Sequence, residues 1–64
     1  MTTILYKNDS NRLAIRENGD GYTGYVCPLN AEWIAQADET IAFADWDTAW
    51  AYAKANGFEY YGMN

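Results

Sequence analysis

Histidine is absent from this 64-residue sequence, and cysteine, serine and proline occur once each, as Cys27, Ser10 and Pro28. Without histidine, neither a Ser–His–Asp triad nor a Cys–His pair can be assembled. A lone cysteine closes no intramolecular disulfide. With no histidine and no cysteine cluster, a structural zinc site is excluded as well. Cys27 lies in a β-like run with no base near it in sequence, so it reads as a small hydrophobe rather than a reactive thiol. Long apolar runs are also missing. No stretch approaches the roughly 20 residues of a membrane span, and no basic segment followed by an apolar run marks a signal peptide. One free cysteine fits a reducing cytosol. The Met1 start is read as that of a whole small gene product.

Bases are scarce and unevenly placed. Lys7, Arg12 and Arg16 lie in the first 16 residues and Lys54 near the end, whereas Glu17, Asp20, Glu32, Asp38, Glu39, Asp45 and Asp47 occupy a stretch without any base. The net charge is −5. Affinity for a phosphate backbone comes from Lys and Arg, so direct nucleic-acid binding is disfavoured and a basic partner surface is the compatible one. The plainer reading is that the acids only confer solubility.

Aromatics are plentiful: three Trp, six Tyr and two Phe. A chain of this length sits at the lower limit of independent folding. With no disulfide or metal, aromatic burial is the remaining stabilising device. A single domain over residues 1–64, monomeric or weakly dimeric, is expected.

Hydrophobic periodicity orders the chain. Thr2–Lys7 is β-rich and ends in turn formers. Leu13, Ile15 and Glu17 alternate with Arg12, Ala14 and Arg16, as in a half-buried strand. Asn18-Gly19-Asp20-Gly21, flanked by two β-like runs, is a hairpin signal that expects left-handed backbone at Asn-Gly and Asp-Gly. Tyr22–Cys27 forms the third strand, with Gly24 marking a bulge or a close approach and Pro28 ending it. Asn30 can cap a short helix at about 31–37, against the alternative of a strand continuing through Trp33. Thr40–Ala44 is a fourth strand with Ile41 and Phe43 on one face. Asp45 is an N-cap and Asp47 a first-turn acid for a main helix at about 46–56. Its core face is expected to carry Trp46, Ala49, Trp50 and Ala53, with Tyr52 flanking that face or exposed. Asn56-Gly57 stops the helix, and Phe58, Tyr60 and Gly62 alternate in a last strand. The fold class is therefore α+β: a mostly antiparallel sheet of four to five strands with helix on one face.

The candidate partner-binding site is acidic: Glu32, Asp38, Glu39, Asp45 and Asp47 around the fourth strand, with Asp20, Glu59 and the aromatic Trp33 as further members. Asp45-x-Asp47 and Asp38-Glu39 show no EF-hand spacing, so no metal and no cofactor are expected. Asn18–Gly21 has no adjacent lysine and reads as a turn rather than a phosphate cradle. Tyr6, Tyr22, Tyr25, Tyr60 and Tyr61 could line a base-stacking sheet face, but such platforms usually sit in basic grooves. Exposed Tyr and Trp rimmed by acids fit a protein-binding surface better.

Two resemblances follow. Phe43, the N-cap, Ala49-x-x-Tyr52-Ala53 and Asn56-Gly57-Phe58-x-Tyr60 resemble the strand–helix–strand segment of the 18-kDa-type accessory subunit of respiratory complex I. That likeness covers under a third of the chain and concerns structural positions. The whole chain, small, acidic, cysteine-poor and aromatic-rich, resembles phage-encoded anti-CRISPR proteins, above all small α+β inhibitors of type I-C surveillance complexes. This resemblance is one of character, without a shared motif. It implies a non-enzymatic inhibitor in the host bacterial cytosol. Such an inhibitor binds a basic nucleic-acid-binding protein, a Cas surveillance-complex subunit, and blocks its DNA by presenting acids as phosphate mimics. The alternative is a structural or accessory module that docks through exposed aromatics.

Overall fold

A computed structural model describes residues 2–30 and 37–63. The described elements are β1 (Thr3–Lys7), β2 (Asn11–Glu17), β3 (Tyr22–Pro28), β4 (Glu39–Phe43), α1 (Trp46–Ala55) and β5 (Glu59–Met63). The strands form one sheet in the order β4-β3-β2-β1-β5, with every ladder antiparallel. The α+β class is thus the observed one, with five strands and one helix. The short helix expected at about 31–37 falls outside the described residues, except for Ala37.

Side-chain chemistry explains both hairpins. At the β1–β2 turn the Asn8 Oδ1 accepts from the backbone N–H of Ser10 and Asn11, at 2.9 and 2.8 Å. At the β2–β3 turn Asn18 Oδ1 accepts from the Gly21 N–H at 3.0 Å. Both are Asx-type turns, in which the side chain replaces a backbone acceptor. Only Gly19 takes a positive φ there, so the expected left-handed Asp-Gly position is not used.

β4 and β5 lie at opposite edges, and the ladders make them parallel to each other. α1 connects them across one sheet face. Four inter-strand gaps span about 19 Å, and ten helical residues reach about 15 Å. One helix with short connections therefore suffices to cross the sheet. Asp45 opens it: its side chain accepts from the Thr48 N–H and from the Thr48 hydroxyl, both at 2.8 Å. The helix closes with Phe58 N–H donating to Ala53 O and Gly57 N–H donating to Lys54 O. This is a Schellman arrangement in which Gly57 takes a φ of 72°.

The core lies between sheet and helix: Tyr6, Leu13, Ile15, Val26, Phe43, Ala49, Ala53 and Phe58, flanked by Ile4, Tyr22, Ile41, Trp46 and Tyr52. Gly24 is the close approach that the sequence raised. A Cβ there would lie 2.7 Å from Phe43 Cε2 and 3.3 Å from Leu13 Cδ1. The missing side chain is the space that the Phe43 ring fills.

One helix position departs from its expected role, and Tyr52 takes the flanking one of its two expected roles. Trp50 was expected in the core and is 47% exposed, with Lys54 Nζ 4.6 Å from its ring centre. Tyr52 flanks the core, packed between Phe43 and Phe58 at centroid distances of 5.5 and 6.4 Å. Ala49 and Ala53 are fully buried. These small residues bring the helix axis close to the sheet, and the ring that fits the remaining wedge comes from the Tyr52 side. In β5 the register shifts opposite Leu5 and Tyr6, so the simple alternation of Phe58, Tyr60 and Gly62 does not hold.

Candidate functional site

Every carboxylate among the described residues is exposed: Asp9, Glu17, Asp20, Asp38, Glu39, Asp45, Asp47 and Glu59. They do not form one cluster. Asp38 and Glu39 stand at the start of β4, and Asp45 and Asp47 follow its end. Four extended steps, about 13 Å, separate the pairs. The sheet register groups the acids by end. Val26 pairs with Glu39, Asn11 with Pro28, and Lys7 with both Arg12 and Glu59. Asp9, Asp38, Glu39 and Glu59 therefore belong to one end of the sheet. Glu17, Asp20, Asp45 and Asp47 belong to the other. The expected grouping of Asp38 and Glu39 with Asp45 and Asp47 is corrected on this point, because an intact strand holds the pairs apart. Glu32 and Trp33 lie outside the described residues.

The acids differ in what their charge already does. Hydrogen bonds from the Thr48 N–H, and then from the Thr48 hydroxyl, hold the Asp45 carboxyl below the usual carboxylate range. The carboxylate is thus occupied as a cap and remains ionised. Glu39 acts on Tyr52: burial first, and then the Glu39 charge, pushes that phenol up. No group of three or more Cys, Asp or Glu side chains among the described residues is arranged to hold a metal ion.

Cys27 is buried. Burial pushes its thiol up, and the Asp38 charge adds to this, while the Arg12 guanidinium opposes it. A thiol kept protonated is a poor nucleophile.

The tyrosines divide between the two faces. Tyr6 is buried on the helix side, where burial and then Tyr60 push its hydroxyl up. Tyr22 packs edge-on against Trp46 at 5.6 Å, and Tyr60 meets Tyr6 edge-on at 6.0 Å. Tyr6 and Tyr22 are therefore core residues and not members of a stacking platform. Tyr25 pairs with Ala14, which pairs with Leu5. Residues paired directly across an antiparallel ladder share a face, so these three lie on the face turned away from α1.

That second face, on which Thr3, Ala14 and Cys27 are buried and Leu5, Arg12, Arg16 and Tyr25 half-buried, also holds the basic residues of the N-terminal quarter. Arg16 pairs with Thr3 and Thr23, and Arg12 with Lys7 and Cys27. Arg16 Nε donates to Thr3 Oγ1 at 2.9 Å, and Lys7 Nζ sits 5.3 Å from the Tyr61 ring centre. Both cations use neutral partners. Sequence reasoning did not single out these residues, although the signal was present: Arg12, Ala14 and Arg16 alternate on one strand, and the Asn8–Asn11 turn pairs Lys7 with Arg12.

Comparison with protein-family models, with curated proteins and with solved structures finds no match. No described helix is long and apolar enough to cross a membrane.

Proposed function

We propose that this protein is a non-enzymatic inhibitor. It binds a basic, nucleic-acid-handling partner and excludes DNA from it by presenting carboxylates in place of phosphates. The observation that carries this reading is the exposure of all the described acids, arranged as two acidic ends of a small five-stranded sheet. A stretch from Glu17 to Ala53 without Lys or Arg leaves most of that charge uncompensated. The end with Glu17, Asp20, Asp45 and Asp47 is the primary contact. Asp38, Glu39 and Glu59 form the second. The chemistry favours binding over catalysis, since histidine is absent and the single thiol is buried and protonated. Size, acidity and aromatic content favour an anti-CRISPR acting on a type I-C surveillance complex in the bacterial cytosol.

The test is a DNA gel-shift assay with that complex. Added protein abolishes target DNA binding, and the block weakens steeply between 50 and 200 mM salt because exposed charges are screened. The Asp20→Lys/Asp47→Lys protein, which keeps the Asp45 cap, does not inhibit. Undiminished DNA binding at saturating protein, or full inhibition by the double variant, rejects the reading.

A second reading rests on a separate observation. Tyr60, Tyr61 and Met63 on edge strand β5 are 57%, 41% and 62% exposed. A short apolar edge of this kind suits a docking accessory module. Its binding would depend weakly on salt and would fail in Tyr60→Ser.

A further inference from the structure

The face of the sheet turned away from α1 is basic on an acidic protein. Lys7, Arg12 and Arg16, three of the four basic residues, lie there together with Leu5, Tyr25 and Tyr61. Lys7 and Arg12 are directly opposed across the β1–β2 ladder, and like charges in that position destabilise a sheet. Glu59 borders Lys7 on its other side. Even so, the Lys7 ammonium rests on the Tyr61 ring and Arg16 on the Thr3 hydroxyl. A sheet that places its cations together, against neutral groups and beside aromatic rings, is complementary to an anion that also carries flat apolar surfaces.

We infer that this face binds a short single-stranded segment of nucleic acid, with phosphates on Lys7, Arg12 and Arg16 and bases against Tyr25 and Tyr61. Arg12 and Arg16 are four residues apart on one strand, about 13 Å. That span covers only a few consecutive phosphates of one strand, so the ligand is short. Antiparallel sheets that carry aromatics on one face recognise unpaired bases in this way, because every base offers a face for stacking; here Tyr61 is exposed and Tyr25 half-buried. The net charge of −5 limits the length of the ligand rather than its chemistry. Beyond the central rows a strand meets Glu59 and Asp38 at the Lys7 end of the sheet. A folded acidic protein surface would satisfy the cations and leave the rings without a flat partner. Binding at this face is independent of the acidic ends and does not require the inhibitory reading.

The experiment is an amide NMR titration of the whole chain with the oligonucleotides rU6 and dT6 at 50 and 200 mM NaCl. Shifts are expected to concentrate on Leu5, Lys7, Arg12, Arg16, Tyr25 and Tyr61. Three phosphate contacts imply a salt slope near −2, or about 20-fold weaker binding at the higher salt. Arg12→Glu/Arg16→Glu, with a native-like spectrum, abolishes the shifts. Tyr25→Leu, which keeps bulk in the sheet, weakens binding without changing the salt slope. Asp20→Lys/Asp47→Lys leaves binding in place, so that the two proposals fail separately. Absence of shifts at millimolar oligonucleotide, shifts centred on another surface, or equal binding by a hexaglutamate peptide overturns the inference.

Discussion

At the scale of single residues, positions without a large side chain govern the packing. Gly24 lies in the middle of β3, where glycine is normally a weakness, and here its bare Cα receives the Phe43 ring. Gly24→Ala would bring a methyl group to 2.7 Å from Phe43 Cε2. Overpacking of this kind costs about 1 to 3 kcal/mol, visible as a lower urea midpoint. A variant as stable as the parent would show that the Phe43 ring moves aside freely. Asn8 has comparable local importance through hydrogen bonding. Its carbonyl oxygen closes the β1–β2 turn, and its Nδ2 donates to Asn56 O at 3.0 Å. One side chain thereby ties the hairpin tip to the end of the helix.

At the scale of elements, α1 is held by two alanines, Trp46 and Tyr52 rather than by Trp50. Trp46 and Tyr52 flank the core, whereas Trp50 lies on the solvent side under Lys54. The two aromatic truncations should therefore separate. Tyr52→Ala is expected to cost about 2 to 3 kcal/mol, since it empties the space between Phe43 and Phe58. Trp50→Ala is expected to stay within about 1 kcal/mol, because it loses only a surface cation–π contact. Thermal unfolding followed by circular dichroism distinguishes them. A reversed order would place Trp50, and not Tyr52, against the sheet.

For the whole molecule, one face of the sheet packs against α1, and the described acids lie at the two ends of the sheet. Burial of Tyr6 and half-burial of Tyr52 on the helix side make stability sensitive to alkali. Tyr6 and Tyr52 are pushed up by burial, as is the Cys27 thiol on the other face. A group whose pKa is raised by folding stabilises fully below its unfolded pKa, and this is lost as pH rises through the folded one. The urea midpoint should therefore hold near pH 7 and fall above about pH 9 to 10, where free thiols and phenols ionise. Tyr6→Phe and Tyr52→Phe should each flatten the decline. An equal decline in both variants would assign it to other groups.

Much of the architecture was legible in the sequence because local chemistry dictates it. The Asx turns, the Asp45 cap and the Asn56-Gly57 stop bound the segments within a residue or so, and strand alternation marked Leu13, Ile15, Ile41 and Phe43 as inward-facing. Periodicity misled at Trp50 because spacing defines a helical stripe but not how closely the helix approaches the sheet. That distance depends on Ala49, Ala53 and the partner rings together. The candidate site shows the same division. The sequence by itself determined that the chain is acidic and that its acids surround β4. Only the tertiary structure decided that β4 holds those acids at two ends, and that strand pairing collects Lys7, Arg12 and Arg16 on one face. Charge totals add along a chain, whereas electrostatic recognition depends on which charges face the same way, and cross-strand register sets that.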